Sequence, residues 1–167
     1  MKVSPLPIDK GFGAIVTDFN METDFEELRK LVFDKLVVVI RGQFNFSPES
    51  QYKLTKMFDP ESESYGHGHD VSLMAKSILQ QDLISIPRQP QVKLLGHGFV
   101  EEHEELTNLT LKHPQHHGFH KHLVSKEDEA LGITRFYRWH MDAALYNHNP
   151  PVVTTLYALK VCSTIYI

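Results

Sequence analysis

The feature that most constrains the fold is an alternation of β-prone and helix-prone segments over residues 11–60. Residues 11–17 and 36–40 are β-prone, and the second run is the uninterrupted aliphatic kind found in buried strands. Between them, apolar residues recur at helical spacing, and Thr23 with Glu26 forms the capping-box pattern that marks a helix start. The sequence therefore predicts a strand, a helix and a second strand in succession.

A second helix is predicted after this strand. Ser47 followed by Pro48 suits the N-cap and the first helical position, and the helical periodicity stops at Asp59 and Pro60. Two αβ units are therefore expected. A chain of 167 residues is long enough to bury a core, and its length suggests a single domain.

The sequence after residue 60 is less regular. A proline-containing turn leads into a predicted strand over residues 91–95. Residues 97–129 are polar, acidic and rich in histidine, so we expect a long surface excursion there and not core. β-prone sequence returns at residues 134–142 and again at residues 152–167.

Charge and composition exclude several classes of protein. Lys and Arg total 17 against 21 Asp and Glu, and a net charge of −4 gives no electrostatic reason to expect nucleic-acid binding. The longest aliphatic run, residues 36–40, is far short of the ~20 residues that a membrane-spanning helix needs. Residues 1–13 lack the apolar segment of a secretory signal. The single cysteine, Cys162, fits a reducing compartment, so we expect a cytoplasmic protein.

His140 and Asp142 are the residues that point most directly to chemistry. Residues two apart on a strand share a face, so an imidazole and a carboxylate would project side by side. Such a pair can supply two positions of the two-His-one-carboxylate triad of non-haem Fe(II) oxygenases. Spacing alone leaves a second interpretation, a strand-end His and Asp bonded to their neighbours, because a chain with 11 histidines produces this pattern by chance.

The stretch around this pair reads Trp-His-Met-Asp-Ala-Ala-Leu-Tyr over residues 139–146, and Asn-Pro-Pro and Thr-Thr-Leu-Tyr-Ala follow at residues 149–151 and 154–158. It resembles the iron-binding segment of the taurine dioxygenase-like family of Fe(II)- and 2-oxoglutarate-dependent dioxygenases. Within that family the chain is most similar to the fungal xanthine dioxygenases, over residues 1 to about 161. This further similarity is carried by residues 65–68, 86–91, 112–114 and 135–140.

The resemblance implies a fold, a metal site and a reaction. The expected fold class is α+β, with N-terminal αβ units that would lead into a double-stranded β-helix (a jelly roll of the clavaminate synthase-like type). His140 and Asp142 would be two of the three Fe(II) ligands. With 2-oxoglutarate and O2 as cosubstrates, the family forms succinate and carbon dioxide while it hydroxylates its substrate. In the xanthine branch the substrate is a purine, and xanthine becomes urate.

Four further positions match those at which the xanthine branch binds its substrate. By resemblance, substrate-binding roles fall to Gln91, Lys112, Glu127 and Asp128. Xanthine is flat and rich in donors and acceptors, so polar groups are expected along each of its edges. Solvated surface charge on a surface segment is the alternative interpretation of these side chains.

The sequence departs from the family at its C-terminal end. Family members continue past the position of Val161 with further β-helix strands, a distal His ligand and an Arg that anchors 2-oxoglutarate. Residues 162–167 do not resemble that continuation, so we expect a truncated single domain over residues 1–167 with an incomplete β-helix and a non-family tail. The chain alone is then expected to be inactive or nearly so, and residues 154–167 would form an aggregation-prone unpaired edge.

Two other functions remain open. One keeps the superfamily and changes the substrate to a sulfonate or another small acid. The other is a non-catalytic, His-rich metal-binding protein, suggested by the five histidines among residues 113–122. Their spacing does not match that of known zinc fingers, which favours surface imidazoles over a zinc site.

Overall fold

A computed structural model describes residues 1–7, 11–62, 84–96, 98–111, 122, 124–131, 133 and 151–160. The chain divides into two compact units. The first unit comprises Met1–Pro60 and Thr155–Ile167, and the second comprises Glu61–Thr154. The second unit is therefore an insertion between the two segments of the first.

The first unit contains both predicted αβ units. Its elements are β1 (Lys2–Pro5), β2 (Ala14–Thr17), α1 (Phe25–Lys35), β3 (Val38–Ile40) and α2 (Pro48–Phe58). The sheet order is β1-β2-β3, with β1 antiparallel to β2 and β2 parallel to β3. Helix α1 is the crossover that a parallel pair of strands requires. Strand β1 lies in a proline-rich lead-in for which no strand was predicted.

The capping-box prediction at the start of α1 is wrong. The N-cap is Asp24, and its side chain makes no capping hydrogen bond. The carboxylate of Asp24 instead accepts from the backbone N–H of Asn20 at 2.9 Å and from the hydroxyl of Thr23 at 2.9 Å, and it pairs with the amino group of Met1 at 3.2 Å. The Asn20 bond is the main cause that lowers the pKa of Asp24. Thr23 lies one residue before the N-cap, so it is not at the capping position, and its hydroxyl donates to Asp24 instead.

The prediction for α2 is confirmed at both ends. Ser47 is the N-cap, with Pro48 at the first helical position, and its hydroxyl accepts from the backbone N–H of Ser50 at 3.2 Å. The helix ends at Phe58, where Asp59 leaves the helical conformation before Pro60. Residues adjacent in the sequence determine both ends of α2, which is why the sequence predicted this helix correctly.

The core of the first unit lies between the sheet and the two helices. Its buried side chains are Ala14, Val16, Phe19, Phe25, Leu28, Leu54 and Phe58. The rings of Phe25 and Phe58 join α1 to α2 edge to face, with centroids 5.0 Å apart and planes at 76°. Gly13 lies immediately before β2 with φ +76°, and a Cβ at this position would overlap the side chain of Leu6. A glycine is therefore required at the entry to β2.

Residues 152–160 form no strand, so the predicted β-run is wrong over the described part of the C-terminal segment. Within it, Thr155 bonds to α2 and Tyr157 bonds to the loop before α2. Gln51 Nε2 donates to the carbonyl of Thr155 at 3.2 Å, and the hydroxyls of Thr55 and Thr155 are 2.7 Å apart. The segment is held by side-chain hydrogen bonds to a helix, which replace the ladder that a strand would need.

The second unit contains two antiparallel hairpins and a short helix. The elements are β4 (Ile84–Ile86), β5 (Gln89–Leu94), β6 (Gly98–His103), β7 (Leu106–Leu111) and α3 (Lys126–Ala130). Ile86, Leu94 and Leu111 are buried in one cluster, to which both hairpins contribute. The hairpins are thus joined through their apolar faces.

The predicted surface excursion over residues 97–129 is wrong for residues 98–111, which form the β6–β7 hairpin. Apolar side chains on this hairpin, including Val100 and Leu109, pack against the core cluster. Glu104 and Glu105 form the two-residue turn with φ +49° and +69°, where Asn-Gly is the usual choice. Acidic residues at the turn made this stretch look like surface loop.

The described part of the chain is a mixture of helices and small sheets, as the α+β prediction expected. None of the helices in that part is long and apolar enough to cross a membrane.

Candidate functional site

The predicted site residues divide into those the structure describes and those it does not. Gln91 lies in β5, and Glu127 and Asp128 lie in α3. Lys112, His140 and Asp142 lie outside the described residues. No hydrogen bond among the described residues joins Gln91 to either acidic residue.

Gln91 belongs to the polar face of the β4–β5 hairpin. Val92 and Leu94 pack into the core cluster, so Gln91 and Lys93 project from the opposite face of β5. The Nε2 of Gln89 donates to the Oε1 of Gln91 at 2.5 Å. This bond fixes the Gln91 amide with its NH2 group as the end that can donate to a ligand.

Lys93 is a polar-face residue that the sequence analysis missed. It is half-buried, and its ammonium donates to the hydroxyl of Ser85, the residue directly opposite on β4. Burial lowers the pKa of Lys93, because partial removal from water disfavours the charged form. The alternation of polar and apolar residues from Gln91 to Leu94 was the signal that could have placed Lys93 beside Gln91.

The tips of the two hairpins are tied together by an ion pair. Arg88 lies in the turn between β4 and β5, and its guanidinium bonds to the carboxylate of Glu104 in the turn between β6 and β7. The side chain of Glu104 is 20% exposed. This pair holds the polar turn of β6–β7 against the hairpin that carries Gln91 and Lys93.

Glu127 and Asp128 occupy the first turn of α3. The Asp128 backbone N–H donates to the hydroxyl of Ser125 at 3.0 Å, which caps the helix. Acidic side chains near a helix N-terminus are favoured by the helix dipole, so a structural role accounts for both residues. Neither carboxylate accepts a hydrogen bond from the described residues, so both retain acceptor oxygens for a ligand.

No group of three or more His, Cys, Asp or Glu side chains that could hold a metal ion occurs within the described residues. Of the histidine cluster at residues 113–122, only His122 is described, and it is exposed. His140 and Asp142 offer an imidazole nitrogen and a carboxylate oxygen, a donor set that suits Fe(II).

Comparison with known proteins identifies the family. Residues 2–164 match the family described as taurine catabolism dioxygenase TauD, TfdA family. The chain belongs to this family. The resemblance seen around His140 and Asp142 is therefore confirmed, and the match to the TauD/TfdA family extends over nearly the whole chain.

Several curated fungal proteins are similar to this TauD/TfdA chain. It is 48% identical to the alpha-ketoglutarate-dependent xanthine dioxygenase xan1 of Schizosaccharomyces pombe, over 96% of the chain. It is 49% identical to xanA of Emericella nidulans, which has the same description, over 90% of the chain. Both alignments cover 41% of the relative, so the chain spans about two fifths of the length of these proteins. No solved structure matches the chain significantly.

Proposed function

We propose that the protein containing this chain is an Fe(II)- and 2-oxoglutarate-dependent dioxygenase that hydroxylates a purine, converting xanthine to urate in the cytoplasm. The observation that carries the proposal is the 46–49% identity to three fungal xanthine dioxygenases, over 90–96% of the chain. A more distant relative, the alpha-ketoglutarate-dependent dioxygenase bsc9 of Alternaria brassicicola, is only 30% identical. The chain is therefore more similar to these proteins named for xanthine than to bsc9.

The metal site is assigned to His140 and Asp142, with a third ligand from elsewhere in the protein. Iron and 2-oxoglutarate, when bound, supply the oxidising chemistry, in which O2, 2-oxoglutarate and xanthine give urate, succinate and carbon dioxide. The family supports a double-stranded β-helix around this site. The role of the protein is to orient the ligands, place the purine and exclude water from the reaction.

Substrate binding is assigned to Gln91, Lys112, Glu127 and Asp128. The amide NH2 of Gln91 would donate to the oxygen-bearing edge of the purine, because its own carbonyl oxygen already accepts from Gln89. The carboxylates of Glu127 and Asp128 would accept from ring N–H groups. Each bond keeps a polar group of the purine from being buried without a partner, which costs about 1–3 kcal/mol.

The test is succinate release by the complete protein with Fe(II), 2-oxoglutarate and xanthine. We expect xanthine-dependent succinate in the wild type and loss of more than about 100-fold in His140→Ala and Asp142→Ala, because each removes a metal ligand. His122→Ala is the matched control, since His122 is an exposed histidine and should leave the rate unchanged.

Two outcomes would overturn the proposal. Turnover of sulfonates but not of xanthine would assign a different substrate class within the family. Metal binding without turnover, lost only when the histidines among residues 113–122 are replaced, would instead identify a His-rich metal-binding protein.

A further inference from the structure

The polar face of the β4–β5 hairpin carries three hydrogen-bond donors side by side. Ser85 and Lys93 are directly opposite each other on the two strands, and Gln91 is two residues from Lys93 on β5. The apolar residues that alternate with them pack into the core cluster, so this face is set by the same packing that forms the hairpin. The three side chains are half-buried, not freely solvated.

The ammonium of Lys93 is the unusual group on this face. Its hydrogen-bond partner is the neutral hydroxyl of Ser85, and no carboxylate among the described residues pairs with it. Fully buried lysines are almost always paired, and partial desolvation of an ammonium without an opposite charge is already unfavourable. An ammonium has three hydrogens, so the bond to Ser85 leaves two for another acceptor.

We propose that Lys93 is a further substrate-binding residue, which donates a hydrogen bond to an oxo oxygen of the purine beside the amide of Gln91. This inference rests on the proposed function. The oxo oxygens of xanthine accept hydrogen bonds, and the polar face offers donors from an amide, a hydroxyl and an ammonium. A positive charge at this edge also stabilises the negative charge that a dioxopurine carries on its oxygens when it loses a proton.

A carboxylate of 2-oxoglutarate is a second acceptor that a lysine could bind. The neighbours of Lys93 favour the purine, because Gln91 and Ser85 are neutral donors that suit oxo groups. Carboxylate anchors, in contrast, typically use the paired N–H groups of arginine. The experiment therefore measures the two ligands separately.

The test compares Lys93→Met, which removes the ammonium and keeps a long apolar side chain, with wild type in the complete Fe(II)-loaded protein. We expect KM for xanthine to rise about 10- to 100-fold, as for loss of one hydrogen bond from a charged donor. KM for 2-oxoglutarate should stay unchanged, and Lys93→Arg should restore part of the xanthine affinity. Lys53→Met is the control, because Lys53 is an exposed lysine on α2.

Purine analogues that lack one oxo group identify the oxygen to which Lys93 donates. The penalty of Lys93→Met should shrink for whichever mono-oxo purine, hypoxanthine or 2-hydroxypurine, lacks the oxygen that Lys93 contacts. An unchanged KM for xanthine, a rise only in KM for 2-oxoglutarate, or an equal penalty for all three purines would overturn the proposal.

Equilibrium binding without oxygen separates this inference from the proposed function. Equal xanthine affinity in wild type and Lys93→Met would defeat the role of Lys93 alone. Absence of xanthine binding to the wild type would defeat both. Thermal unfolding of each variant establishes that a loss of affinity comes from a folded protein.

Discussion

Leu36, at the junction of α1 and β3, has a strained backbone conformation. It follows the last residue of α1 with φ +67° and ψ −33°, and the N–H of Val37 donates to the carbonyl of Lys35 at 2.8 Å across it. This is a γ-turn with positive φ at its centre, a rare and strained geometry for a residue with a Cβ. The side chain is 71% exposed, so little burial compensates the strain.

Leu36→Gly is expected to raise the free energy of unfolding by about 1 kcal/mol. Relief of strain of ~1–3 kcal/mol outweighs the greater unfolded-state entropy of glycine, which costs ~0.5–1 kcal/mol. Urea denaturation measures the change. Leu36→Ala is the matched control, because it removes the same exposed side chain and keeps the Cβ. Equal stability of the two variants would contradict the argument.

The role of a single residue could be predicted from the sequence where its bonding partner lies only a few positions away in the chain. Ser47 caps α2 because its partner is three residues away. Thr23 failed as a cap because the helix begins one residue later, with Asp24 as its N-cap, and Asp24 is held by Asn20 and by the distant Met1 amino group, which no local pattern reveals. Lys93 was missed because its importance depends on burial beside another strand.

At the scale of elements, the contact of Tyr157 with the loop before α2 is the one most open to test. The hydroxyl of Tyr157 donates to the carbonyl of Gln43 at 2.9 Å and accepts from the N–H of Phe46 at 3.4 Å. The rings of Tyr157 and Phe46 lie 6.1 Å apart, which adds an aromatic contact. The phenol oxygen thus satisfies two backbone groups in the loop before α2.

Tyr157→Phe is expected to lower the free energy of unfolding by about 1–2 kcal/mol, because it keeps the ring and leaves both backbone groups without this partner. Chemical denaturation provides the measurement. Leu156→Ala serves as the control, since Leu156 is 85% exposed and its loss should cost less than about 0.5 kcal/mol. A Tyr157→Phe protein as stable as wild type would show that the hydroxyl does not hold the segment.

Helices and strands could be predicted where the hydrophobic periodicity and the turn residues indicated the same element. The two αβ units satisfy that condition, and both form. The β6–β7 hairpin does not, because Glu104 and Glu105 occupy a turn that normally requires glycine or asparagine. Its ion pair with Arg88 is a tertiary contact that the turn sequence alone could not indicate.

At the scale of the whole molecule, the metal pair leads to a prediction about the 167-residue chain by itself. Two ligands hold Fe(II) less firmly than the three that the proposed site requires. We expect the purified chain to bind Fe(II) weakly and to release little succinate with xanthine and 2-oxoglutarate. Metal titration and a succinate assay measure both. Substrate-dependent succinate that disappears in His140→Ala would contradict this expectation.

The family was predictable from sequence because short motifs occurred together in the order that the family uses, and the match over residues 2–164 confirms it. The β-helix, the single domain and the tail at residues 162–167 stay predictions. So do the metal pair His140 and Asp142 and the residue Lys112, which lie outside the described residues. Gln91 was placed correctly on a strand, but only packing revealed its donor neighbours.

The insertion of the second unit within the first sets an order for folding during synthesis. Tyr157 and Thr155 bond to residues 100–114 positions earlier in the chain. A ribosome makes these partners only after it has made the whole second unit, whose hairpins pair residues close in sequence. The unit that leaves the ribosome first is therefore the last to be completed, and the loop before α2 waits for its partner for about 5–20 s at ordinary rates of synthesis.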